Sequence, residues 1–131
     1  NVPGLKVVFD TGNPIFNPDR PKPKPWPRQD AWEFYAHVKP FIEHVHIKDA
    51  VRNTAKNDAD YTYPGEGQGC VKAIVKVLLA SGYQGGLSIE PHLAVVFHDA
   101  AVTSSAENQY RTFIEYGRRL MKLVADAHTP A

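Results

Sequence analysis

Asp10, His46 and Glu90 are the three residues of this 131-residue sequence whose types could do chemistry together. Each stands at or near the end of a short apolar run: Leu5-Lys6-Val7-Val8-Phe9-Asp10, Phe41-Ile42-Glu43-His44-Val45-His46-Ile47 and Gly86-Leu87-Ser88-Ile89-Glu90. Two carboxylates and one imidazole suit Mn²⁺, Mg²⁺, Co²⁺ or Zn²⁺, and the carboxylates favour the harder ions. Taken singly, each also has an ordinary local role: Asp10 capping a turn, His46 as a satisfied core histidine, Glu90 paired with a nearby lysine. Their recurrence at equivalent places in successive segments is what points to one shared site.

Other polar residues gather around these three. His44 lies two residues before His46 and so shares its strand face; His46, nearer the strand end, is the expected ligand, and His44 the expected packing neighbour. Arg52 follows His46 by six residues, where a loop could return its guanidinium to a sugar oxygen or a phosphate. The run Gly65-Glu66-Gly67-Gln68-Gly69 lacks both the lysine-Ser/Thr pair of a phosphate-binding loop and the dinucleotide spacing, so it reads as a tight entry into a helix. Cys70, at the start of that helix, reads as structural.

These residues need strands to hold them, and the sequence supplies a repeating pattern. After the first strand, residues 14 to 29 hold six prolines and four basic residues, predicting an extended loop that overhangs the site and influences substrate choice. Asp30 is a fitting N-cap for a helix over 31–39, with Trp32, Phe34, Tyr35 and Val38 on its apolar face. The second strand leads into a polar stretch up to Gly69. The helix after it repeats Val71, Ile74, Val75, Leu78 and Leu79 at helical spacing, and Gly82 suits a left-handed C-terminal cap. The third strand precedes a loop of about fifteen residues containing His92 and His98. A last helix over 106–125 would turn Tyr110, Phe113, Ile114, Gly117, Leu120, Met121 and Val124 inward. Strands alternating with helices predict a parallel sheet whose strand C-termini share one edge.

Composition sets few further bounds. With 43% apolar residues and a net charge of +1, the chain reads as globular, without the electrostatic footprint of a nucleic-acid or membrane partner. One cysteine allows no internal disulfide, and no apolar run suggests a membrane span or signal peptide, so a cytoplasmic location is the expectation.

Phe9-Asp10-Thr11-Gly12-Asn13, His44-Val45-His46-Ile47-Lys48-Asp49, Gly65-Glu66-Gly67 and Ser88-Ile89-Glu90 together resemble the last strand-end motifs of the xylose isomerase-like barrel superfamily. The resemblance implies an α/β fold: one domain over residues 1–131, forming the C-terminal portion of a partial (β/α)8 TIM barrel of about three βα units. It also implies one divalent ion, Mn²⁺ first among the candidates, on Asp10, His46 and Glu90, with a fourth ligand on an earlier strand. Glu90 would be one of two proton-moving carboxylates in sugar or sugar-phosphate isomerisation or epimerisation. Arg52 matches the substrate-binding arginine of such enzymes; Asn13 stands where a histidine often follows the metal aspartate; His92 completes the substrate-facing set. Three units cannot close a barrel, so a homo-oligomer or association with an N-terminal part is expected. Two alternatives stay open: an endonuclease IV-like apurinic-site nuclease, disfavoured because residues 58–64 contain no histidine, and a non-catalytic interaction module of the same fold.

Overall fold

The computed structural model describes residues 2–94 and 103–128. Three short strands, β1 (Val7–Asp10), β2 (Ile42–Ile47) and β5 (Gly86–Ile89), form a parallel sheet in the order β1-β2-β5. Among the described residues four α-helices accompany it, α1 (Asn13–Phe16), α2 (Ala31–Val38), α3 (Val71–Ala80) and α4 (Ala106–His128), with a 3-10 turn over Lys39–Phe41. The expected α/β architecture of a partial TIM barrel is therefore present. The sheet is open, and the outer edges of β1 and β5 have no strand partner among the described residues.

The pleat sorts the strand residues into two sets. Phe9, Val45 and Ile47 are buried among Val71, Ile74, Val75 and Leu78 of α3 and Tyr116 and Leu120 of α4, with Leu87 and Ile89 packed alongside. The alternate residues, Asp10, His44, His46, Ser88 and Glu90, take the opposite face, where nearly every side chain is polar. An apolar face thus fastens the sheet to its helices and leaves the other free for chemistry.

Local signals explain most helix ends. The Asp30 carboxylate accepts the Glu33 N–H at 2.8 Å and caps α2 as expected. At the end of α3, Gly82 takes φ +77°, and the N–H groups of Gly82 and Tyr83 close onto the Leu79 and Leu78 carbonyls at 3.0 and 3.2 Å. This is the Schellman arrangement, in which glycine alone avoids the Cβ penalty. No helix among the described residues is long and apolar enough to cross a membrane.

Two expectations need correction. The polar stretch after His46 is an antiparallel hairpin, β3 (Asp49–Asn53) with β4 (Asp58–Thr62), turning through Asn57 at φ 51°. Its buried apolar side chains are the small Ala50 and Ala59, packed with Ile15, which leaves too little apolar alternation to announce a strand. The face of α4 is also rotated. Thr112, Tyr116 and Leu120 are buried, while Tyr110, Phe113 and Met121 are 68%, 47% and 73% exposed. The rotation lets the Tyr116 hydroxyl accept the buried Asp49 N–H at 3.2 Å, a polar anchor that an apolar periodicity cannot reveal. Smaller differences concern α1, which opens the proline-rich segment, and that segment's return, where Pro18 bridges Arg28. His98 lies outside the described residues.

Candidate metal centre

Asp10 and His46 are register partners on β1 and β2. Glu90 follows β5 directly, its N–H bonded to the Ile47 carbonyl at 3.0 Å. One ligand atom from each of the three lies within 4.8 Å of the others. Ligands of a single octahedral ion at about 2.1 Å stand roughly 3 to 4.2 Å apart, so small side-chain shifts bring this set onto one ion. Carboxylate, imidazole and carboxylate are also the donors that such an ion takes.

Each residue keeps a local role as well. Asp10 Oδ1 accepts the N–H groups of Gly12 and Asn13 at 2.8 and 2.9 Å, capping the turn after β1. Its Oδ2 remains for another partner. Glu90 Oε2 lies 3.0 Å from His46 Nδ1, and Glu90 Oε1 lies 3.2 Å from His92 Nε2. His44 Nε2 pairs with Ser88 Oγ at 2.7 Å, and its ring meets that of His46 edge-on at 5.4 Å.

The two carboxylates titrate as a pair. Burial, reinforced by a hydrogen bond with Glu90, raises Asp10 above its ordinary value, against the pull of Lys48. Burial also pushes Glu90 upward, but hydrogen bonding to Asp10, the charge of Lys48, and hydrogen bonds from His92 and His46 together outweigh it and lower Glu90 to about 2.

The remaining candidates fall at different distances from this centre. His92 is held against Glu90, and its ring meets that of Tyr61 at a 47° tilt with centroids 4.8 Å apart. Asn13 lines, with Asp10, a cavity of about 480 Å³ whose wall includes Pro18, Arg20 and Pro21 of the proline-rich segment. Arg52 lies on β3 rather than on a loop; its backbone N–H donates to Gln68 Oε1 at 2.8 Å, and its guanidinium makes no ion pair with Asp10, His46 or Glu90.

Two residues without an assigned role in the sequence turn out to be central. Lys48, with its side chain 7% exposed, places Nζ 2.9 Å from Asp10 Oδ2 and 3.4 Å from Glu90 Oε1. Its spacing of two from His46 was the available signal, since it puts both on one strand face. Asp49 accepts the N–H groups of Gly65, Gly67 and Gly69 at 2.8, 3.0 and 2.9 Å. The glycine-rich loop is thus wrapped around the protein's own carboxylate, in keeping with its reading as a structural turn. Cys70 caps α3 at φ 54°, and burial, with the nearby charges of Asp30 and Asp49, raises its thiol pKa, which suits a structural role.

Comparison with known proteins accords with this geometry. No curated protein matches the chain. Among solved structures, a xylose isomerase domain protein from Planctomyces limnophilus superposes with a TM-score of 0.63 at 18% identity, over 97% of this chain and 39% of that one. At that identity the likeness speaks for the fold, and the chain spans about 39% of the length of that structure. Residues 1–120 match the family described as xylose isomerase-like TIM barrel. With that match over nearly all its length, and with the strand-end residues arranged on one polar sheet face, the chain belongs to the xylose isomerase-like TIM barrel family.

Proposed function

We propose that this chain contributes the metal and proton-transfer face of an isomerase or epimerase acting on a sugar or sugar phosphate. The observation that carries the reading is the convergence of Asp10, His46 and Glu90 within 4.8 Å of one another. Asp10 through Oδ2, His46 through a ring nitrogen and Glu90 through one carboxylate oxygen would hold a divalent ion, with Mn²⁺ favoured by the oxygen-rich set. Such an ion, when bound, polarises a substrate carbonyl and so acidifies the neighbouring C–H.

Glu90 is the residue placed to move that proton. Its carboxylate is ionised across neutral pH, His46 and His92 hold its two oxygens, and as a base of low pKa it would depend on the ion's acidification of the C–H. A second carboxylate for the return of the proton on the other side would come from outside these three strands. Asn13 and the cavity beside Asp10 offer hydrogen-bonding groups to a polyhydroxylated substrate, and Arg52, on the hairpin that follows β2, is the candidate for a phosphate or distal hydroxyl. The unpaired edges of β1 and β5 favour association with a second copy or with further strands of a barrel.

Calorimetric titration with Mn²⁺ tests this reading. Saturable binding that His46→Ala and Glu90→Ala each weaken tenfold or more, about 1.4 kcal/mol, is the expected result. Binding indifferent to both substitutions would sink it.

A further inference from the structure

Lys48 occupies a position that the proposed chemistry does not use. Its backbone is pinned to the end of β1, because the Lys48 N–H donates to Thr11 Oγ1 at 3.0 Å and the Thr11 hydroxyl donates to the Lys48 carbonyl at 2.6 Å. Its aliphatic stem crosses directly over Gly12, where an added Cβ would come within 2.8 Å of Lys48 Cγ. The ammonium is thereby delivered to Asp10 Oδ2 at 2.9 Å and to Glu90 Oε1 at 3.4 Å. Asp10 Oδ1 is committed to the Gly12 and Asn13 N–H groups, so Oδ2 is the oxygen that a metal would take. The lysine and the ion therefore compete for the same atom.

We propose that Lys48 is a built-in counter-cation, holding Asp10 and Glu90 together until a divalent ion displaces its ammonium from them. The inference rests on the metal reading above and adds an antagonist to it. Two carboxylates facing one another, Asp10 buried and Glu90 36% exposed, repel unless a cation lies between them, and leaving the buried Asp10 charge uncompensated is costly. Lys48 supplies that cation. Because the ion must break both contacts to enter, the lysine lowers metal affinity and makes loading reversible. With the Lys48 backbone still held by Thr11, the displaced ammonium is then free to receive a substrate oxygen beside the ion.

The test is a comparison of wild type with Lys48→Met and Lys48→Arg, each melted in EDTA and in saturating Mn²⁺ and each titrated with Mn²⁺. Lys48→Met should bind Mn²⁺ at least tenfold more tightly than wild type. It should melt several degrees lower in EDTA, and Mn²⁺ should restore most of that loss. Lys48→Arg, which keeps the charge, should bind no more tightly than wild type. Gly12→Ala, which pushes on the stem and leaves the charge in place, should also tighten Mn²⁺ binding and serves if Lys48→Met fails to fold. A melting loss equal in EDTA and Mn²⁺, or unchanged affinity in Lys48→Met and Gly12→Ala, would show a merely structural lysine and overturn the proposal. Absence of Mn²⁺ binding in wild type and every variant would instead defeat the metal reading, and the proposal with it.

Discussion

Replacing Asp49 by alanine removes the acceptor of four backbone N–H groups at once: those of Ala50, Gly65, Gly67 and Gly69. The bonds from Ala50 and Gly69 are buried, whereas those from Gly65 and Gly67 are partly so. At about 1–3 kcal/mol for each buried donor left unpaired, the first two alone cost about 2–6 kcal/mol. Water reaches the other two and softens their share. Set against a typical total stability of about 5–15 kcal/mol, the loss is large. Urea unfolding of Asp49→Ala should therefore show a drop of roughly 3 kcal/mol or more at unchanged m-value. Asp49→Asn keeps one acceptor oxygen but turns an NH₂ donor toward N–H donors, so it should fall between wild type and alanine. A loss below about 1 kcal/mol in Asp49→Ala would refute the reasoning, since the loop would then hold its shape without the carboxylate.

Other outcomes follow from the same geometry. Gly67→Ala should destabilise by about 1–3 kcal/mol in the same assay, because the new Cβ would overlap Asp49 Oδ1 and lie 2.7 Å from the Ala50 nitrogen. Tyr116→Phe should cost about 1–3 kcal/mol by leaving the buried Asp49 N–H without its acceptor; a neutral result would mean that water replaces the hydroxyl. Mn²⁺ affinity should rise with pH through the raised Asp10 pKa, because the ion requires the carboxylate and displaces its proton. Equal affinity at every pH from 3.8 upward would contradict it. In EDTA the linkage has opposite signs for the pair. The Asp10 contribution is present below its unfolded value near 3.8 and lost as pH rises through the raised folded value. The Glu90 contribution is present above 4.5 and lost as pH falls toward about 2. Acid melts of Asp10→Asn and Glu90→Gln should therefore diverge from wild type in opposite directions.

The parallel strands and α3 were legible because their signals are local: β-branched runs, a repeat of apolar positions, a capping aspartate and a glycine stop. The convergence of Asp10, His46 and Glu90 was legible because a parallel sheet aligns strand ends whatever lies between them. The hairpin was not, since strands whose buried apolar residues are Ala50 and Ala59 carry almost no hydrophobic alternation. The turn residue Asn57 between two five-residue stretches was its remaining trace. Asp49 and Lys48 went unread for another reason. Neighbours in sequence where β2 passes into β3, they point to opposite sides and are satisfied by partners many residues away, Gly69 and Glu90 among them. The face of α4 was misjudged because a hydroxyl contact to Asp49 outranked the apolar weight of Phe113 and Met121.

The interleaving of site and core residues along β2 has a dynamic consequence. His46 sits between Val45 and Ile47, both fully buried, and the N–H groups of Thr11 and Glu90 are spent on the carbonyls of His46 and Ile47. The backbone carrying the candidate ligands therefore opens only when the core opens, and its amides should rank among the slowest in hydrogen exchange, beside those of Val45 and Ile47. Loops that contact a substrate would exchange far sooner. Such a division lets selection alter the loops while the strands keep Asp10, His46 and Glu90 in place.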